Sequence, residues 1–160
     1  AALTHDLGKG MTPRDALPSH PGHESRGCKL IRCIAERLPV PRACRDLALL
    51  VAEYHTHCHR ALELRPKTIL KVLEKSDAFR RPGRFEQFLV TCEADARGRA
   101  GLENRRYPQA AFFRGALAAA AAVDAATIAK QTAERKIPAA IRRARRHAIA
   151  EFKSGAQVPP

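Results

Sequence analysis

Along most of this chain the apolar positions recur three and four residues apart, and nowhere do they alternate with period two. Gly27, Leu30, Ile31, Ile34, Ala35 and Leu38 fall on one face of a helix, which Pro39 and Pro41 close. Leu47, Leu50, Val51 and Tyr54 make the next apolar face, and it delivers His55 at its C-terminal end. Pro66 suits the first turn of a third helix with Ile69, Leu70, Val72 and Leu73 on its inner side. Pro82 opens a fourth, with Phe85, Phe88, Leu89 and Cys92 as its apolar stripe. The pattern predicts an all-α protein.

Asn104-Arg105-Arg106 breaks the pattern. Pro108 then starts an alanine-rich helix reaching about Val123, and Asp124 is placed to cap a short helix from Ala125 to about Ala133. Pro138 opens the last helix. Ile141, Ala148, Ile149 and Phe152 share one of its faces, and Arg142, Arg143, Arg145, Arg146 and His147 occupy the rest. Gly155 to Pro160 reads as a frayed tail. Two parts are expected, a compact helical domain over 1–103 and a basic helical extension over 104–160, with no internal repeat.

Charge narrows the partners. The formal net charge is +13, an excess that favours a polyanion. With two Tyr, six Phe and no Trp, stacking platforms for bases are scarce, so contact through phosphates is expected over sequence readout. Plain solubility is the alternative. No apolar run reaches the ~18 residues a membrane span needs. The five cysteines form no CxxC pair and mostly sit at apolar helical positions, which predicts buried thiols in a reducing cytoplasm. Ala1-Ala2 runs straight into His5-Asp6 without an initiator methionine, so a piece of a longer chain is expected.

The candidate chemistry starts at His5-Asp6, followed by the Gly8-Lys9-Gly10 turn, His20, His23-Glu24, and His55, His57 and His59. Asp77 extends the stripe of Leu70 and Leu73, where a carboxylate is costly unless paired or bound to a metal. Imidazoles and carboxylates converging from different helices suit a divalent cation. Each residue also has a simpler role. His5-Asp6 can be a satisfied core pair, His20 a loop residue, and His57 and His59 solvated residues past a helix end. Asp77 can cap a helix, and the arginine run can be a solvated face.

Several blocks carry a family resemblance: LTHDLGKG at 3–10, LPSHPGHESRG at 17–27, CRDLALLVAEYHTHCHRALELRP at 44–66, SDAFRRPGRFEQFL at 76–89 and CEADARGR at 92–99. Together with YPQAAFFRGAL at 107–117 and, more loosely, IPAAIRRARRHAI at 137–149, they resemble the HD domain and C-terminal helical region of bacterial tRNA nucleotidyltransferases, the CCA-adding enzymes.

The resemblance implies an HD-type helical phosphohydrolase domain with 2',3'-cyclic phosphodiesterase, 2'-nucleotidase and phosphatase activities. It implies a divalent metal, with Ni2+ favoured, whereas Mg2+ serves the nucleotidyltransferase head. By motif match His5 and Asp6 are the central ligands and Asp77 the distal one. His23 and His55 correspond to the superfamily's further histidines, and Lys9 to a phosphate-facing cation. The family's first histidine, on a helix before the His-Asp pair, and its nucleotidyltransferase head are expected to lie outside this sequence. The enzymatic reading makes Asp6, Lys9, His23 and His55 catalytic toward a 2'-phosphate or 2',3'-cyclic phosphate at an RNA end. The alternative reading is a tRNA-binding module with an impaired metal site. In both, Arg97, Arg99, Arg105, Arg106, Arg142, Arg143, Arg145 and Arg146 are candidates for backbone phosphates, and the oligomeric state is left open.

Overall fold

A computed structural model describes residues 1–155, and among them there are helices and no strands. The α-helices are α1 (His23–Arg37), α2 (Arg42–His59), α3 (Pro66–Lys75), α4 (Pro82–Arg97), α5 (Pro108–Ala121), α6 (Ala125–Gln131) and α7 (Ile137–Gly155). Prolines set the starts of α3, α4 and α5, where a missing N–H costs nothing. α7 begins one residue ahead of Pro138, and Gly155 is its last residue, so the tail expected over 155–160 lies outside the described residues apart from Gly155.

The chain divides into two compact units, one of Ala1–His59 with Gly83–Tyr107, the other of Arg60–Pro82 with the chain from Pro108 onward. In this division α3 groups with the C-terminal helices, whereas the sequence pattern places a boundary at 103/104. The reason is burial. Ile69, Val72 and Leu73 on α3 are fully buried, and α3 packs on α7 and α5.

In the first unit α1 packs on α2, and the 3-10 turn Leu7–Met11 packs on α1. Cys28, Ile31, Ala48 and Ala52 form the buried cluster, with Leu7 and Leu49 against it. The apolar face of α1 fades toward its end, where Leu38 is 56% exposed. Gly8 makes the turn possible: a Cβ there would sit 1.9 Å from the His23 carbonyl oxygen and 2.5 Å from the Gly27 nitrogen, both backbone atoms. Glycine alone lets the segment carrying His5 and Asp6 lie directly on α1.

In the second unit α7 packs against α3, α5 and α6. Phe152 enters the space left by Gly115, where a Cβ would fall 2.4 Å from the ring, and it lies 5.5 Å from the Phe112 ring centre. Asp124 caps α6 by accepting from the N–H groups of Ala126 and Thr127, each at 3.0 Å. Among the five free cysteines, Cys28, Cys58 and Cys92 are buried, while Cys33 and Cys44 are exposed, contrary to the expectation for those two. Among the described residues no single helix is long and apolar enough to cross a membrane; α5 and α6 pass such a test only as a pair bent by 40°.

Candidate metal centre and basic groove

The candidate metal-binding side chains of the first unit come from the segment around the Leu7 turn, α1, α2 and α4. His5 is 8% exposed and precedes the turn held by Gly8. Its Nδ1 is 2.7 Å from the Ala2 carbonyl, which only accepts, so Nδ1 carries a proton and Nε2 is turned inward. Nε2 faces Asp6 Oδ2 at 3.3 Å and Asp95 Oδ1 at 3.2 Å and is buried without a hydrogen bond.

The other histidines repeat the arrangement. His23 donates from Nδ1 to the His20 carbonyl at 2.8 Å, and His55 donates from Nδ1 to the Val51 carbonyl at 3.0 Å. Their two Nε2 atoms then face one another at 3.3 Å, with Asp6 Oδ1 3.6 Å from the first and 3.5 Å from the second. Asp6 Oδ1 is also buried without a hydrogen bond. Burial pushes the His55 imidazole below its ordinary value, which favours the neutral form. Ring nitrogens and carboxylate oxygens this close repel unless a proton or a metal ion lies among them. Donors about 2.1 Å from one ion sit about 3 Å apart, so these separations fit a divalent metal. His5, Asp6 and His55 can each place one donor atom within 4.8 Å of the others.

Burial alone works to raise the Asp6 carboxyl. The Lys9 ammonium bonded to its Oδ2, and the charge of His5, outweigh that and hold it below the ordinary carboxylate value. Glu24 flanks the site, 3.5 Å from His23 Nδ1, and accepts from the Thr56 hydroxyl at 2.9 Å. His20 sits apart, its Nδ1 2.8 Å from the Thr12 hydroxyl.

Three residues depart from expectation, Asp77, His57 and His59. Asp77 belongs to the second unit, where it terminates α3 with φ 57° as Ala78 N–H bonds the Leu73 carbonyl at 3.0 Å. Its carboxylate accepts from Arg80 at 2.7 Å and pairs with Arg81 at 3.4 Å. The second carboxylate against His5 is instead Asp95 of α4. His57 and His59 lie inside α2 rather than past its end, and the His59 Nε2 is 2.9 Å from Asp95 Oδ2. Asp95 was legible in principle, since it continues the buried Phe88 and Cys92 stripe of α4. His59 lies one turn beyond His55 on the same side of α2.

The arginines differ in use. Arg142 pairs with Glu74 at 2.8 Å, and the Arg145 guanidinium lies 4.0 Å from the centre of the Phe79 ring. Both hold α7 within its unit. Arg143 and Arg146 line a groove of about 800 Å³ with Arg65, Lys67 and His147, over a floor that includes Ile128, Ala140, Ala144 and Ala150. No carboxylate lines this groove among the described residues. In the first unit Arg97 pairs with Glu93 at 2.9 Å and donates to the Arg105 carbonyl, while Arg99, Arg105 and Arg106 are exposed.

No family model matches the chain, and no solved structure does. Curated relatives do. The chain is 59% identical over 128 residues to a multifunctional CCA protein of Pseudomonas fluorescens, covering 80% of this chain and 31% of that protein. It is 60% identical over 125 residues to the protein of that name from Thioalkalivibrio sulfidiphilus, covering 78% and 31%. With the one from Burkholderia cenocepacia it shares 52% over 153 residues, covering 94% and 37%. The chain thus spans about a third of the length of the curated relatives it matches.

Proposed function

We propose that this chain, a relative of one segment of the multifunctional CCA proteins, carries a metal-dependent phosphohydrolase centre of the HD type in its first unit. One observation supports the reading above the rest. Three imidazoles have Nδ1 fixed on backbone carbonyls and Nε2 turned toward Asp6, and the buried His5 Nε2 and Asp6 Oδ1 lack hydrogen bonds. A divalent cation there supplies charge that polarises a phosphoryl oxygen and acidifies water.

The residues divide the work. His5, Asp6 and His55 hold the ion, with Asp95 rather than Asp77 as the second carboxylate. Lys9, bound to Asp6 and partly open to solvent, offers a cation to a phosphate oxygen. His23 keeps its Nδ1 proton on a carbonyl and is free to accept a proton at Nε2. The family resemblance points to a 2'-phosphate or 2',3'-cyclic phosphate substrate and to Ni2+ as the metal. Phosphate release from a 2'-nucleotide with added Ni2+ tests this: activity is expected, and its loss in Asp6→Asn. A chain that binds Ni2+ and leaves every such ester intact defeats the enzymatic reading.

The basic groove favours a second role, contact with the phosphate backbone of tRNA. Five cationic or basic side chains surround an apolar floor with no carboxylate among the lining residues, which suits phosphates above and ribose below. Replacing Arg65, Lys67, Arg143 and Arg146 with Ala is expected to weaken tRNA binding and to flatten its salt dependence. Unchanged affinity and slope would leave the groove without that role.

A further inference from the structure

Asp95 carries two contacts on opposite oxygens. Oδ1 faces His5 Nε2 at 3.2 Å, and Oδ2 lies 2.9 Å from His59 Nε2. A carboxylate only accepts, so the His59 Nε2 bears a proton. On the other side of the ring, His59 Nδ1 lies 3.1 Å from the Tyr107 hydroxyl, which is placed to donate to it. Burial and the neighbouring Cys58 push the Tyr107 phenol far above its ordinary value, so it keeps the proton it donates. The same hydroxyl is 3.5 Å from Cys58 Sγ, a weaker partner.

We propose that Tyr107 and His59 are positioning residues for Asp95: the phenol fixes the His59 tautomer, and His59 then holds Oδ2 so that Oδ1 is presented beside His5. In this arrangement neither residue is itself a ligand. Each acts through Asp95, as carbonyl and carboxylate partners orient ligands in metal sites generally. The proposal rests on the metal-centre reading above and adds to it the chain of bonds that makes Asp95 a ligand in a single orientation. It also gives the Tyr107 that opens the YPQAAFFRGAL block a chemical task.

Calorimetric Ni2+ titration of the 160-residue chain tests it, with no turnover required. Tyr107→Phe removes one oxygen and is expected to weaken Ni2+ binding about tenfold, and His59→Leu by about 10–100-fold. His59→Gln keeps an N–H donor near the Nε2 position and is expected to recover most of the affinity. In an Asp95→Asn background, Tyr107→Phe should have no further effect on affinity. Thermal melts in chelator check that each variant folds, and if His59→Leu does not, the Tyr107→Phe pair of measurements decides. Parent-like binding by Tyr107→Phe overturns the proposal, as does an undiminished loss in the Asp95→Asn background. His59→Gln as weak as His59→Leu also overturns it, because His59 would then be a ligand itself. These outcomes leave the metal centre standing, whereas a parent chain that takes up no Ni2+ removes both.

Discussion

α2 and α7 are nearly equal in length, 18 and 19 residues, yet they spend their polar side chains in opposite ways. α2 buries seven residues, His55 among them, and α7 fully buries only Ile149. A polar group inside α2's packing must find a partner, so His55 and His59 are fixed by carbonyls, carboxylates and a phenol. The cations of α7 lie at or near the surface. Some reinforce the unit, as the exposed Arg142 and the half-buried Arg145 do, and others present charge to solvent, as Arg143 and Arg146 do. Burial therefore makes geometry the informative quantity in α2, whereas in α7 it is the arrangement of charge.

The sharpest way to break this comparison is Asp6→Ala. If the α2 histidines serve a metal, losing the carboxylate they converge on should lower Ni2+-dependent phosphohydrolysis by more than about 100-fold, or over 2.7 kcal/mol of barrier. Steady-state rates on a 2'-nucleotide measure it, and more than about a tenth of the parent rate speaks against the assignment.

Gly8→Ala probes the support rather than the ligands. The new methyl meets two backbone atoms that cannot turn aside, so destabilisation of about 1–3 kcal/mol is expected, together with weakened metal uptake. Denaturant unfolding of the metal-free chain reads the first effect. A parent-like midpoint would mean that the turn does not lie on α1 as described.

On the α7 side, Arg143→Ala with Arg146→Ala should reduce tRNA affinity several-fold and lower the slope of log affinity against log salt by about two. Arg142→Ala with Arg145→Ala should leave that slope nearly unchanged, because those guanidiniums already serve Glu74 and Phe79. Filter binding at several salt concentrations separates the pairs. Equal slopes for both would return α7 to a uniformly solvated face.

The smallest effect concerns Asp124, the exposed cap of α6. The Thr127 hydroxyl, then the Thr127 and Ala126 N–H groups, hold its carboxyl below the ordinary 3.8. A depressed carboxylate adds stability above its unfolded value and loses it as pH falls through the folded value. Asp124→Ala should therefore melt slightly below the parent at pH 7, with the gap closing as pH drops under about 4. A gap independent of pH would show that the charge plays no part in the cap.

The site was only half legible before the fold. His5 and Asp6 are adjacent, so one turn brings them together and the motif is visible. A carboxylate on an apolar stripe needs a reason, but Asp77, in line with Leu70 and Leu73, stands just past the end of α3 at a left-handed residue. Applied to α4, the same rule selects Asp95, next after Phe88 and Cys92. His59 does not lie past a helix end, because α2 runs through it instead of stopping before it.

The sequence by itself determined the helices, since their apolar spacing and their prolines are local and each segment must bury its own stripe. It also determined the basic character and the His5-Asp6 pair. Only the tertiary structure decided which carboxylate meets His5, and which arginines of α7 are engaged with Glu74 and Phe79. Those pairings join residues far apart in the chain, and helical periodicity gives the face of a helix without naming the side chain it will meet.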